Sequence, residues 1–241
     1  MSRMRIDVWS ALVCPWCWIG RHRLERALAL LGDDVPEVEL HWHPFLLEPD
    51  ADATPVPLRE AYAAKFGGAA RAAEILAQTQ GTARAEGLPM DFDRGQVRVT
   101  TLPAHRLMWL AAREGDADAV GEALFRAHFA EGRNLADPDV LVTAGAAGGI
   151  DAARVRTMLD SGEGLAEVQA ALGQARTLGI RAVPTFVIDG RQGIQGAHPP
   201  EALAQALREL MAPAAPPAPD NDAGDGCGPE GCEAPDPPQR S

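Results

Sequence analysis

The sequence predicts an α/β protein whose sheet is assembled from two distant stretches of chain. A large all-helical insertion lies between them, and a disordered tail follows. Three observations predict this. Residues 1–50 read as strand, helix, strand. Residues 181–212 read as strand, turn, strand, helix. Residues 51–180 are rich in alanine and leucine at helical spacing.

Met4-Arg5-Ile6-Asp7-Val8-Trp9 alternates, with Met4, Ile6 and Val8 on one face, the mark of a half-buried strand. Leu24, Ala27, Leu28 and Leu31 then recur at helical spacing until Gly32 ends the run. Val38, Leu40 and Trp42 fall on one face of the second strand, opposite Glu37, Glu39, His41 and His43. A parallel pair with a right-handed crossover follows. The insertion carries helical runs near 57–66, 68–86, 103–114, 116–131, 137–148 and 151–178. Asp137-Pro138 reads as an N-cap followed by an N1 proline. Pro89, Gly95 and Pro103 punctuate a loop before the third run. A block of this length is too long for a loop, and we read it as a helical cover on the active-site end of the sheet. Asp189-Gly190 separates Phe186-Val187-Ile188 from Ile194, as in a hairpin. Leu203, Leu207, Leu210 and Met211 mark a final amphipathic helix from Pro200. Residues 213–241 lack periodicity and are dominated by Ala, Pro, Gly and acidic residues, which predicts disorder.

The chemistry concentrates in Cys14-Pro15-Trp16-Cys17, at the junction of the first strand and the first helix. Unpaired N–H groups and the helix dipole favour an anion at that end. A thiolate is such an anion, and this setting lowers a thiol pKa from about 8.5 to roughly 3.5–7.5. Cys14 is therefore the expected low-pKa, solvent-accessible nucleophile. Cys17, one turn inward, is the buried partner that closes a disulfide with it. Pro15 suits the first helical position, and Trp16 is placed to shield the disulfide and contact substrate.

Val13-Cys14-Pro15-Trp16-Cys17 after a strand resembles the active site of thioredoxin-fold proteins. Val183-Pro184-Thr185-Phe186-Val187-Ile188 resembles their cis-proline loop and the strand that follows it. Between and just after these motifs, Trp42-His43-Pro44-Phe45, Ala104-His105-Arg106-Leu107, Leu124-Phe125, Phe129-Ala130-Glu131-Gly132 and Gly196-Ala197 resemble FrnE-type proteins of the DsbA group. The likeness spans about residues 4–211. It implies a thioredoxin-like domain formed by residues 1–50 and 181–212, with 51–180 as the insertion. It implies thiol–disulfide exchange, and plausibly isomerisation, on protein thiols and disulfides, with glutathione or a thioredoxin system as reductant. Cys14, Cys17 and Pro184 are the implied catalytic residues. The Pro15-Trp16 dipeptide sets the redox potential, and Val183, Trp16 and His105 are the implied substrate contacts. A cis Val183–Pro184 bond would turn the Val183 backbone towards Cys14, where it could pair with an extended substrate.

The same subgroup resembles 2-hydroxychromene-2-carboxylate isomerases and kappa-class glutathione transferases, which carry serine where this chain has Cys14. Glutathione-dependent chemistry is thus one rival reading, and a redox sensor or chaperone without catalysis is another. Cys227-Gly228-Pro229-Glu230-Gly231-Cys232 in the tail supplies a candidate second redox pair. Acidic neighbours Asp225, Glu230 and Glu233 should make these slower nucleophiles than Cys14. All four cysteines could instead form a zinc site. The strand–helix setting of the first pair argues for redox use, so no metal is expected. No organic cofactor is needed, because a dithiol stores two electrons itself.

Composition narrows the partners. A net charge of −12 argues against nucleic acid. No apolar run is long enough to span a membrane. The basic N-terminus is not followed by an apolar targeting segment, which points to the cytoplasm. Cysteine pairs there are more often redox-active or metal-binding than structural. His41 and His43 read as polar strand residues rather than ligands, and Lys65, the only lysine, carries no functional reading.

Overall fold

The computed structural model describes residues 3–32 and 37–211. Four strands form one sheet in the order β2-β1-β5-β6: β1 (Arg3–Ser10), β2 (Glu37–Pro44), β5 (Thr185–Ile188) and β6 (Gln192–Gln195). β1 runs parallel to β2 and antiparallel to β5, and β5 runs antiparallel to β6. The β5–β6 turn is the expected one. Asp189 and Gly190 have φ of 48° and 66°, which Asp-Gly tolerates in a tight hairpin.

Helices α1 (Pro15–Leu31) and α9 (Pro200–Met211) cover one sheet face. Met4, Ile6 and Val8 pack there with Leu24, Ala27, Leu31, Leu203 and Leu207. β1 is not half-buried as its alternation suggested, because Asp7, Trp9 and Ser10 are buried too. As a central strand it is covered on both faces. Trp9 stacks on His43 of β2, with ring centroids 4.5 Å apart. Asp7 tolerates burial because Arg5 and His43 each hydrogen-bond its carboxylate at 2.6 Å. Burial alone would raise its pKa, but these two partners hold it below the usual value. His43 is therefore a packed tertiary contact rather than a solvent-facing strand residue.

Between the two sheet segments come α2 (Leu58–Phe66), α3 (Ala69–Ala85), α4 (Leu102–Glu114), α5 (Ala117–Phe129), α6 (Pro138–Ala147), α7 (Ala152–Asp160) and α8 (Leu165–Thr177). Asp137 caps α6 through the Asp139 N–H, with Pro138 following it as expected. The run read as one helix over 151–178 is two. Arg106 causes the break: its buried guanidinium donates to the carbonyls of Met158, Ser161 and Glu163, holding the α7–α8 turn. The loop before α4 hides a second, two-stranded sheet. In it β3 (Val56–Pro57) pairs with β4 (Val97–Arg98) and fixes the start of α2. No described helix is long and apolar enough to cross a membrane.

One hydrophobic core joins the helices to the sheet end. Trp18 of α1 stacks against Phe125 and Phe129 of α5, at 6.3 and 5.9 Å. Its indole N–H donates to Glu122 at 2.9 Å. Residues up to Met211 cluster as one compact unit.

Two buried histidines make this fold sensitive to acid. His105 of α4 and His128 of α5 are fully desolvated, and each pKa is lowered from 6.5 to about 4. The unfolded chain binds these protons near pH 6.5 and the folded chain only near pH 4. Stability is therefore complete above the higher value and falls as pH drops through that window. Each histidine accounts for about 3 kcal/mol. Denaturant unfolding between pH 7 and 4 is expected to show this loss. Replacing both histidines with glutamine should flatten it, and an unchanged acid limb would contradict the assignment.

Candidate active site

β1 ends at Ser10 and α1 begins at Pro15, so the four residues between them set the geometry. The Cys14 N–H donates to the Ala11 carbonyl at 3.0 Å, which turns the chain into the helix. Cys14 is the N-cap and Pro15 the first helical residue, where its missing N–H costs nothing. The Cys14 carbonyl accepts from Cys17 N–H at 3.0 Å, starting the helix. Both cysteines are free thiols.

The two thiols are chemically unequal. The Cys14 pKa is lowered, first by a hydrogen bond from the Cys17 thiol. The backbone N–H groups of Cys17 and Trp16 and the charge of Lys65 add to this, against the opposing effect of burial. Burial pushes the Cys17 thiol well up, and the adjacent Cys14 pushes it further. Cys14 is not openly exposed, as the sequence suggested: only 6% of its surface is accessible, against 1% for Cys17. Trp16, 40% exposed, marks the accessible rim.

The second motif meets the first. The Val183–Pro184 peptide is cis, and the Cys14 thiol lies 3.9 Å from the Val183 carbonyl. Gly20 permits the approach of α1 to this loop. A Cβ there would sit 2.7 Å from Pro184 Cγ.

Cys14, the N-cap residue of α1, thus lies beside buried Cys17 and faces the Val183–Pro184 loop. Residues 5–208 match the model of the DSBA-like thioredoxin domain. The chain belongs to this family. It is 34% identical to a probable DsbA oxidoreductase from Streptomyces coelicolor, covering 97% of this chain and 100% of that one, with a TM-score of 0.81. It is 27% identical to the uncharacterised protein YwbO of Bacillus subtilis, over 86% of this chain and 96% of that protein. The cytosolic disulfide reductase DsbM of Pseudomonas aeruginosa, solved with GSH, shares the fold. Its identity is 19% and its TM-score 0.58, over 86% of this chain and 98% of that one.

His105, expected at the substrate cleft, is 4% exposed. Its Nε2 lies 3.2 Å from the Phe45 carbonyl, and the ring lines a cavity behind the site rather than the rim around Trp16. Cys227 and Cys232 lie outside the described residues.

Two residues of this DSBA-like site were missed. The chain has one tyrosine and one lysine. Tyr62 and Lys65 stand three apart on α2, and both interact electrostatically with Cys14. The Tyr62 pKa is pushed up to about 12 by burial and by the charge of Cys14, so the phenol stays neutral. Lys65 favours the Cys14 thiolate. Glu48 holds it in place at 3.5 Å and also binds Arg98 of β4. The available signal was the i,i+3 spacing of two singular residue types on one helix face.

Lys65→Gln is expected to slow iodoacetamide alkylation of Cys14 at neutral pH by roughly two- to fivefold, as suits a half-exposed charge. The difference should shrink in high salt. An unchanged rate at low salt would remove Lys65 from the site.

Proposed function

We propose that the chain is a cytoplasmic, FrnE-type thiol–disulfide oxidoreductase with disulfide isomerase capacity, acting on protein disulfides through Cys14 and Cys17. The observation that carries this reading is the placing of the two thiols: Cys14 at the N-cap of α1, 3.9 Å from the Val183 carbonyl, with Cys17 buried behind it, a setting that favours the thiolate at Cys14 and the proton at Cys17. Only the thiolate attacks a disulfide.

The Cys14 thiolate attacks one sulfur of the substrate disulfide. That S–S bond breaks, a mixed disulfide forms, and the first substrate thiolate leaves and takes up a proton. Cys17 then loses its proton and attacks Cys14 Sγ. The Cys14–Cys17 bond forms and the second substrate thiolate leaves. The substrate gains two electrons and the enzyme dithiol loses two. A thiol such as glutathione, or a thioredoxin system, restores the dithiol. The reverse sequence oxidises a substrate dithiol, and release after the first attack on a different sulfur is isomerisation. Val183 offers its backbone to the substrate strand beside Cys14. With Cys14 present where the glutathione-dependent relatives carry serine, the dithiol route is favoured over theirs.

Cys14→Ser is expected to abolish insulin reduction. Cys17→Ser should accumulate mixed disulfides that mass spectrometry locates at Cys14. Full turnover by the Cys14→Ser variant would overturn the assignment.

We extend the reading to Cys227 and Cys232 as a second redox couple, because four residues containing two glycines let the pair close a ring. Disulfide mapping of the chain after peroxide treatment should find the Cys227–Cys232 link, and exchange with the first pair should yield a Cys14–Cys227 or Cys14–Cys232 adduct. Neither linkage forming would leave Cys14 and Cys17 as the sole couple.

A further inference from the structure

The resolving step requires Cys17 to lose a proton, yet its thiol is almost wholly shielded from solvent. Its surroundings are set by the end of β1. The Ala11 N–H points at the thiol, and the Ser10 hydroxyl lies beside it. Ser10 is 3% exposed, and its Oγ is a buried polar atom with no well-formed hydrogen bond. Such atoms are uncommon and costly in folded proteins.

Ser10 also lines a cavity of about 180 Å³ between the ends of β1 and β2 and helices α4 and α8. Its wall runs from buried Ser10 and His105, past Trp109 and His43, to Ala112 and Glu167. The last two are exposed, so the cavity that Ser10 lines opens at the protein surface. It has room for several waters, each needing at least about 10–15 Å³ and two or more polar partners. Ser10, His43 and Glu167 supply such partners.

We propose that Ser10 and this cavity form the proton exit from Cys17. The inference rests on the dithiol reading above. In the mixed disulfide, Cys17 Sγ gives its proton to Ser10 Oγ as the hydroxyl hydrogen passes to cavity water and on to solvent. The thiolate so formed attacks Cys14 Sγ, and the substrate thiolate leaves. No electrons move through Ser10. The titratable groups around the path are Cys14 on α1, His43 on β2, His105 on α4 and Glu167 on α8. His105 is held neutral by burial. His43 is tied to Asp7. Ser10 is a group without charge of its own, suited to passing a proton without storing one.

The test is stopped-flow reduction of 5,5′-dithiobis(2-nitrobenzoate) by the full-length chain, parent and variants alike carrying Cys227→Ser and Cys232→Ser so that only Cys14 and Cys17 report. The first equivalent of thionitrobenzoate reports attack by Cys14, and the second reports attack by Cys17. Ser10→Ala should leave the first phase unchanged and slow the second at least about tenfold at neutral pH, within the range of positioned proton transfer. The gap should close at high pH, where the Cys17 thiolate forms without help. Ser10→Thr, which restores a hydroxyl, should recover the rate. Ala171→Leu, which narrows the cavity from α8, should slow the same phase. Thermal stability of Ser10→Ala should stay close to that of the parent, because the hydroxyl makes no well-formed hydrogen bond within the protein. A second phase within twofold of the parent at every pH would overturn the relay alone. A parent protein whose Cys14 does not react, or whose mixed disulfide releases no second equivalent, would overturn the dithiol reading and the relay with it.

Discussion

The structure turns on the unequal placing of two adjacent thiols, Cys14 at the N-cap of α1 and Cys17 buried behind it. Burial penalises charge on either sulfur, so two buried thiols would ordinarily both remain protonated. Their unequal surroundings break that symmetry. Cys17 keeps its proton because it is the deeper of the two, and the proton it keeps is the one that stabilises charge on Cys14. Pro15 and the first turn of α1 hold the sulfurs in register. Trp18, the next residue, is clamped between Glu122 and the rings of Phe125 and Phe129, so that turn cannot drift. The small residue at Gly20 lets α1 lie against Pro184, which keeps the Val183 carbonyl beside the nucleophile.

The helices between the sheet segments do more than fill space. α2 places a neutral phenol and a cation near Cys14 in a chain whose net charge is −12. A thiolate in such a chain faces a repulsive background, and the sole lysine is located where it offsets part of it. Glu48 reduces that benefit by pairing with Lys65, but it also fixes the ammonium near the site. The two-residue strands β3 and β4 set where α2 begins, since the Leu58 N–H donates to the Gln96 carbonyl at 2.9 Å. A minor piece of backbone pairing thus positions the charge that acts on the nucleophile.

Local signals made much of this legible. Asp189-Gly190 specified a turn with positive φ, Asp137-Pro138 specified a cap, and the strand–helix junction placed a thiol at a helix N-terminus. What could not be read depends on partners far along the chain. The α7–α8 break needs Arg106, more than fifty residues earlier, to collect three carbonyls. Burial of Asp7 and Trp9 needs His43 on the neighbouring strand. β3 and β4 are too short to show a period. Tyr62 and Lys65 are ordinary residues of an ordinary helix until the fold brings α2 over Cys14.

Buried polar groups separate the scaffold from the chemistry. Arg106 and Asp7 are each buried and hydrogen-bonded, and their neighbours are held by them. Selection for stability alone favours such saturation, because an unsatisfied buried group costs more than a made bond returns. Ser10 departs from that rule, and it does so at the end of the strand that delivers the nucleophile. Alanine would satisfy the packing there without the desolvation cost. The Ser10 hydroxyl, without a hydrogen-bond partner in the protein, is available to pass a proton on. In this fold it stands between a thiol that must lose a proton and a cavity that reaches the surface.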